Sequence, residues 1–181
     1  HPENNQNNHP IFSKKSGMAV VHNGIVRTDK QYKKDAEVDS EDILRAIEAK
    51  FGTTEERIIK GCRDLSGSIT FGLISQEEPG KLFLARHRNP MSLALLEEQG
   101  LIVFASTQEI IFEAMAETEM LYGFFEKRVD PYSPIFQEQG EDSLLVLDIN
   151  SGLDIKGIPL NFFQELVSSY LIGALGKKKL W

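Results

Sequence analysis

The chain has 181 residues, 41% of them apolar and 26% charged, with a net charge of −7. That balance suits one globular domain and excludes both a disordered chain and a surface built mainly to bind nucleic acid. No apolar run is long enough to span a membrane, the polar start from His1 to Asn8 holds no signal-peptide core, and a lone cysteine, Cys62, makes neither an internal disulfide nor a zinc cluster.

The opening HPENNQNNHP is rich in Asn and Pro and reads as a loop. Gly17 to His22 is a short apolar run with β-branched residues, expected to form a strand that stops in a tight turn at Asn23-Gly24. Thr28 to Glu37 is charged and exposed. Asp39-Ser40-Glu41-Asp42 then precedes a helical pattern that puts Ile43, Leu44, Ile47 and Phe51 on one face and ends at Gly52. Thr53-Thr54-Glu55-Glu56 opens a second helix carrying Ile58, Ile59 and Cys62 and ending near Leu65. On that face Cys62 is a small core residue.

The period then changes. Ser68 to Ser75, Lys81 to Arg86, Ser92 to Glu97 and Leu101 to Ala105 are β-rich runs separated by Pro79-Gly80, Asn89-Pro90 and Gln99-Gly100, which predicts an antiparallel meander covered on both faces. Thr107 caps a helix over residues 108–117. Tyr122 to Lys127, Ser143 to Asp148 and Asp154 to Ile158 read as three more strands, and Asn161 caps a final helix from Phe162 to Leu175. Lys177-Lys178-Lys179 reads as a solvated tail. Blocks of strands between helices predict α+β layers, not a βαβ arrangement.

Phosphate loops, nucleophile elbows and metal-binding spacings are absent from the sequence, and the four histidines are scattered. Neither a metal nor a cofactor is expected. Three segments stand out. Asn7-Asn8-His9-Pro10 is plainly a polar loop. His22-Asn23-Gly24 is a hairpin turn as structure; as chemistry, it sets a side-chain amide beside a glycine N–H, two donors suited to one oxyanion. Asp39-Ser40-Glu41 is a helix cap as structure; as chemistry, it offers a carboxylate to a substrate ammonium.

In this order the three segments resemble the class II glutamine amidotransferases, the family of glucosamine-6-phosphate synthase and amidophosphoribosyltransferase. The resemblance is carried by NNHPI at Asn7 to Ile11, VVHNGIV at Val20 to Val26 and VDSEDIL at Val38 to Leu44. It continues more loosely through Leu65-Ser66-Gly67-Ser68, Phe83-Leu84-Ala85-Arg86 with Pro90, and Phe104-Ala105-Ser106, and covers about residues 1–148.

The resemblance implies a four-layer α/β/β/α N-terminal-nucleophile hydrolase sandwich of antiparallel sheets, incomplete at its N-terminus. It divides the chain into an amidotransferase-like domain over 1–160 and a C-terminal helix and basic tail over 161–181. It implies hydrolysis of the side-chain amide of L-glutamine to glutamate and ammonia, with Asn23 and Gly24 as the oxyanion hole, Asp39 on the substrate ammonium and His9 near its carboxylate. The family nucleophile is an N-terminal cysteine whose own α-amine is the base, followed by an arginine segment. Here the chain is expected to start beyond both, and Cys62 does not substitute. Three accounts follow: a cleavage product docked to its N-terminal piece, part of a longer protein, or a non-catalytic amidotransferase-like interaction module. The first two are favoured, with the chain inactive alone. A weaker reading is a hydrolase of another amide. Expected partners are glutamine and an N-terminal segment or synthase domain, from the same or another chain, in the cytoplasm. A homo-oligomer is compatible with this; nucleic acid and membrane are not expected.

Overall fold

Nine strands and three helices are laid out over the described residues of the computed structural model, which are 8–28, 38–96, 101–117, 135–150 and 154–160. In chain order they are β1 (Ile11–Ser13), β2 (Met18–Arg27), α1 (Asp39–Glu48), α2 (Thr54–Cys62), β3 (Ser66–Ser75), β4 (Lys81–His87), β5 (Ser92–Leu96), β6 (Leu101–Ala105), α3 (Gln108–Glu117), β7 (Ile135–Glu138), β8 (Ser143–Asp148) and β9 (Asp154–Pro159). They form a six-stranded sheet ordered β1-β2-β3-β4-β8-β9 and a three-stranded sheet ordered β6-β5-β7. Every pairing is antiparallel.

Strand alternation sorts side chains into the two sides of each sheet. On one side of the larger sheet Met18, Val20, Val26, Ile69, Phe71, Leu73, Phe83, Ala85, Leu144 and Val146 share a core with Ile43, Ile47, Ile58 and Cys62 of α1 and α2. Burying side chains such as Phe71 and Phe83 stabilises the fold by about 1.5–3 kcal/mol each. On its other side Leu82, Leu84, Leu145 and Leu147 meet Leu93 and Ile102 of the smaller sheet. The next residues along β5 and β6, Ala94, Val103 and Ala105, turn outward and pack against Ile111 and Met115 of α3. The layers are therefore helix, sheet, sheet, helix, the architecture expected of the N-terminal-nucleophile sandwich.

The second helix begins as its sequence predicts. Thr53 accepts from the Glu56 N–H at 3.3 Å while the Glu56 side chain accepts from the Thr53 N–H at 3.2 Å, a reciprocal cap. Thr107 Oγ1 likewise accepts from the Ile110 N–H ahead of α3, at 3.5 Å.

Several expectations are corrected. β2 does not stop at Asn23-Gly24 but pairs with β3 without interruption from Met18↔Ser75 to Arg27↔Ser66. Ten paired residues outweigh a dipeptide's turn preference. α1 starts at Asp39, with Val38 as a cap that makes no side-chain hydrogen bond. Phe51 lies past the end of α1 and is 90% exposed, so it is not part of the buried face. The predicted meander divides: β3 and β4 stay in the larger sheet, where β8 takes the next place, while β5 and β6 leave for the smaller one. β1 and β7 were not expected. The strand predicted at Tyr122 to Lys127, the helix from Phe162 to Leu175 with its Asn161 cap, the lysine tail, and almost all of the opening loop and of Thr28 to Glu37 lie outside the described residues.

Candidate active site at the edge of β2

The sequence His22-Asn23-Gly24 sits inside β2, and its neighbours alternate between the helical core and the space between the sheets. Val20 and Val26 are buried under the helices. Val21 and Asn23 face the other way and line a cavity of about 190 Å³ with Thr70, Pro90, Phe104 and Ser106. That is the volume of about six waters, room for a side-chain amide.

Gly24 has φ +130, a conformation that side chains rarely adopt, and a Cβ there would stand 1.8 Å from the Ser68 carbonyl oxygen. Only glycine lets β2 and β3 stay in register at this point. The Asn23 carbonyl accepts from Asn89 Nδ2 at 3.0 Å. A trans peptide holds C=O and N–H antiparallel, so the Gly24 N–H points away from that contact. β1 pairs with β2 only as far as Val20, and no described strand covers the same edge from Val21 to Val26.

Asp39, the first residue of α1, approaches this edge. Its Oδ2 accepts from the Val26 N–H at 3.3 Å, and its Oδ1 is 3.9 Å from His22 Nδ1. The Asp39 side chain is 43% exposed, so its carboxylate keeps accepting capacity toward solvent. Placing it in the first turn also sets its charge favourably against the helix dipole. Val26 and Gly24 are two residues apart along one strand, about 7 Å.

Beneath Asp39 lies a small polar cluster. Ser40 Oγ is 2.8 Å from His9 Nε2 and 3.2 Å from His22 Nδ1, and the two imidazoles meet edge to face with centroids 6.4 Å apart. Burial lowers the His22 pKa below its ordinary value; Asp39 pulls against this and His9 adds to it. Burial thus disfavours the charged imidazole at His22. The structure thus brings together Asn23, Gly24, Asp39 and, through Ser40, His9.

Cys62 stands apart. It is wholly buried in the core between α2 and the larger sheet, and that burial pushes its thiol pKa far up. It behaves as an apolar side chain, as its helical position predicts. Among the described residues His87, Glu141 and Asp142 bring metal-type atoms within 4.8 Å of one another. They lie near the junction of β4 and β8, and His87 Nδ1 is already hydrogen-bonded to Asp142 Oδ1.

The residue missed in the sequence is Asn89, which there is only half of a turn signal with Pro90. In the structure Arg88 takes φ +67, a left-handed conformation that turns the chain sharply before Asn89.

Comparison with known proteins bears on the fold. No family model matches the chain. Over 103 residues it is 29% identical to glutamine–fructose-6-phosphate aminotransferase (isomerizing) of Clostridium perfringens, a match covering 51% of this chain and 17% of that protein. Over 130 residues it is 27% identical to the same-named enzyme of Staphylococcus aureus, covering 66% of this chain and 21% of the enzyme. The solved glutamine phosphoribosylpyrophosphate amidotransferase of B. subtilis superposes with a TM-score of 0.63 at 17% identity, over 86% of this chain and 32% of that one. The chain therefore spans about a fifth of the curated relatives and a third of the solved chain. Its fold is that of the class II, N-terminal-nucleophile glutamine amidotransferases.

Proposed function

We propose that this chain provides the glutamine-holding and oxyanion-stabilising part of a glutaminase site, acting with a cysteine nucleophile that its 181 residues do not hold. The observation that supports the reading is that the Gly24 N–H and the half-exposed Asp39 carboxylate share the open edge of β2, while the Asn23 side chain lines the cavity on the adjoining face of the sheet.

The chemistry runs as follows. A cysteine thiolate adds to the side-chain amide carbon of L-glutamine, and the carbonyl oxygen becomes an oxyanion. Asn23 and the Gly24 N–H donate to that oxygen. Asp39 accepts from the substrate ammonium, and His9 lies toward the substrate carboxylate. The carbon–nitrogen bond then breaks, ammonia leaves with a proton returned by the base, and water cleaves the thioester to glutamate. The ammonia acceptor is the business of a synthase domain, in the same or another chain. On this reading residues 1–160 form the amidotransferase-like domain, residues 161–181 lie beyond it, and the protein works in the cytoplasm.

A second reading is an amidotransferase-like interaction module without turnover, in which the buried Cys62 serves the core alone. Ammonia release from L-glutamine by the parent protein, with and without Asn23→Ala, separates the two. A catalytic site loses turnover about 10²–10³-fold in the variant, the usual cost of one oxyanion donor. Equal turnover in both forms removes the oxyanion assignment, and no turnover in either form supports the module.

A further inference from the structure

We propose that Asn89 is a positioning residue for the oxyanion hole, holding the peptide between Asn23 and Gly24 from its carbonyl end. The inference rests on the reading of the Gly24 N–H as an oxyanion donor.

The Asn89 side chain reaches back from the β4–β5 turn. Its Nδ2 donates to the Asn23 carbonyl at 3.0 Å and to the Ser68 carbonyl at 3.3 Å. Both partners accept only, so the nitrogen must face them, and Oδ1 takes the hydroxyl of Ser68. The orientation of the amide is thereby set by its neighbours.

Asn23 C=O and Gly24 N–H belong to one planar peptide. A donor on the oxygen fixes the direction of the N–H at the other end. It also polarises the group, which strengthens the N–H as a donor. Gly24 needs such a hold because its φ of +130 lies where the backbone has no side chain to brace it. A Cβ at Gly24 would stand 2.5 Å from Asn89 Nδ2, so the two residues are in close contact.

Asn89 is itself anchored. Its own carbonyl accepts from Thr70 Oγ1 at 3.1 Å and from Arg86 Nε at 2.8 Å, and its N–H donates to the His87 carbonyl at 2.9 Å. Thr70 and Arg86 face each other across β3 and β4, with Asn23 opposite Thr70 on β2. A row of three strands thus carries the turn whose side chain grips the peptide. An asparagine that merely closed its own turn would have no need to bond to β2 and β3.

The test compares Asn89→Asp, which keeps size and loses the donors, with Asn89→Ala and Asn23→Ala. In the parent protein, Asn89→Asp and Asn89→Ala should lower kcat for ammonia release about ten- to hundredfold while KM for L-glutamine holds. A crystal structure of the parent protein carrying Asn89→Asp should show the Asn23–Gly24 peptide rotated, within an otherwise unchanged fold. Wild-type kcat in Asn89→Asp beside a crippled Asn23→Ala overturns this inference and leaves the site reading standing. Wild-type kcat in both overturns both. An unmoved peptide in the Asn89→Asp structure overturns the inference whether or not the parent turns over.

Discussion

The backbone N–H of Val26 donates to Oδ2 of Asp39 over 3.3 Å, tying the first turn of α1 to the edge of β2. This contact uses one oxygen of a carboxylate that remains 43% exposed. It places a fixed anion two residues along the strand from Gly24.

Asp39→Asn should therefore act on binding. It keeps an oxygen for Val26 and removes the charge that the proposed function assigns to the substrate ammonium. A charge-assisted hydrogen bond contributes about 1.5–3 kcal/mol, so the KM for L-glutamine in the parent protein should rise about ten- to hundredfold with kcat nearly unchanged. A fall in kcat at constant KM would move Asp39 from the binding to the chemical step.

Gly24→Ala should damage the fold itself. The added methyl meets the Ser68 carbonyl at 1.8 Å in a backbone conformation closed to alanine. The expected loss is about 3 kcal/mol or more, or a fall in Tm of roughly 6–12 °C for a chain of this size. Differential scanning calorimetry measures it. Asn23→Ala, on an exposed side chain, should change Tm by little.

Cys62 should resist thiol reagents in the native protein and react only on unfolding. Its folded pKa is raised by burial, so the folded chain keeps its proton where the unfolded chain loses one. The stability this contributes is complete below the unfolded pKa, about 8.5, and declines as pH rises above it. Denaturant midpoints taken from pH 7 to pH 10 should fall, and Cys62→Ala should flatten that slope. Glutaminase activity in the parent protein should survive the substitution.

His22 has the opposite linkage. Its folded pKa is lowered, mainly by burial, so its contribution is present above the unfolded pKa of about 6.5 and is lost as pH falls below it. The facing groups are Asp39, which opposes the shift, and His9, which adds to it. Thermal midpoints measured between pH 7.5 and pH 5.5 should drop in the wild type and drop less in His22→Gln. Parallel curves would assign the acid sensitivity elsewhere.

Much of this protein was legible from residue order alone. The reciprocal Thr53–Glu56 cap, the apolar faces of α1 and α2, the runs of β3, β4, β6 and β8, and the core place of Cys62 all rest on contacts within a few residues or on a period set by backbone geometry. The HNG and DSE segments also identified the fold through their resemblance to a family. Local preference failed where distant partners outbid it. Asn23-Gly24 is a turn dipeptide, yet ten register pairs with β3 keep it in a strand. The split of β5 and β6 from β3 and β4 depends on β8, which arrives far later in the chain and takes the place beside β4. Asn89 touches the Asn23 carbonyl across 66 positions of sequence. Periodicity and capping are local properties and can be read in one dimension. The grip of one side chain on a remote peptide exists only once the sheet has closed.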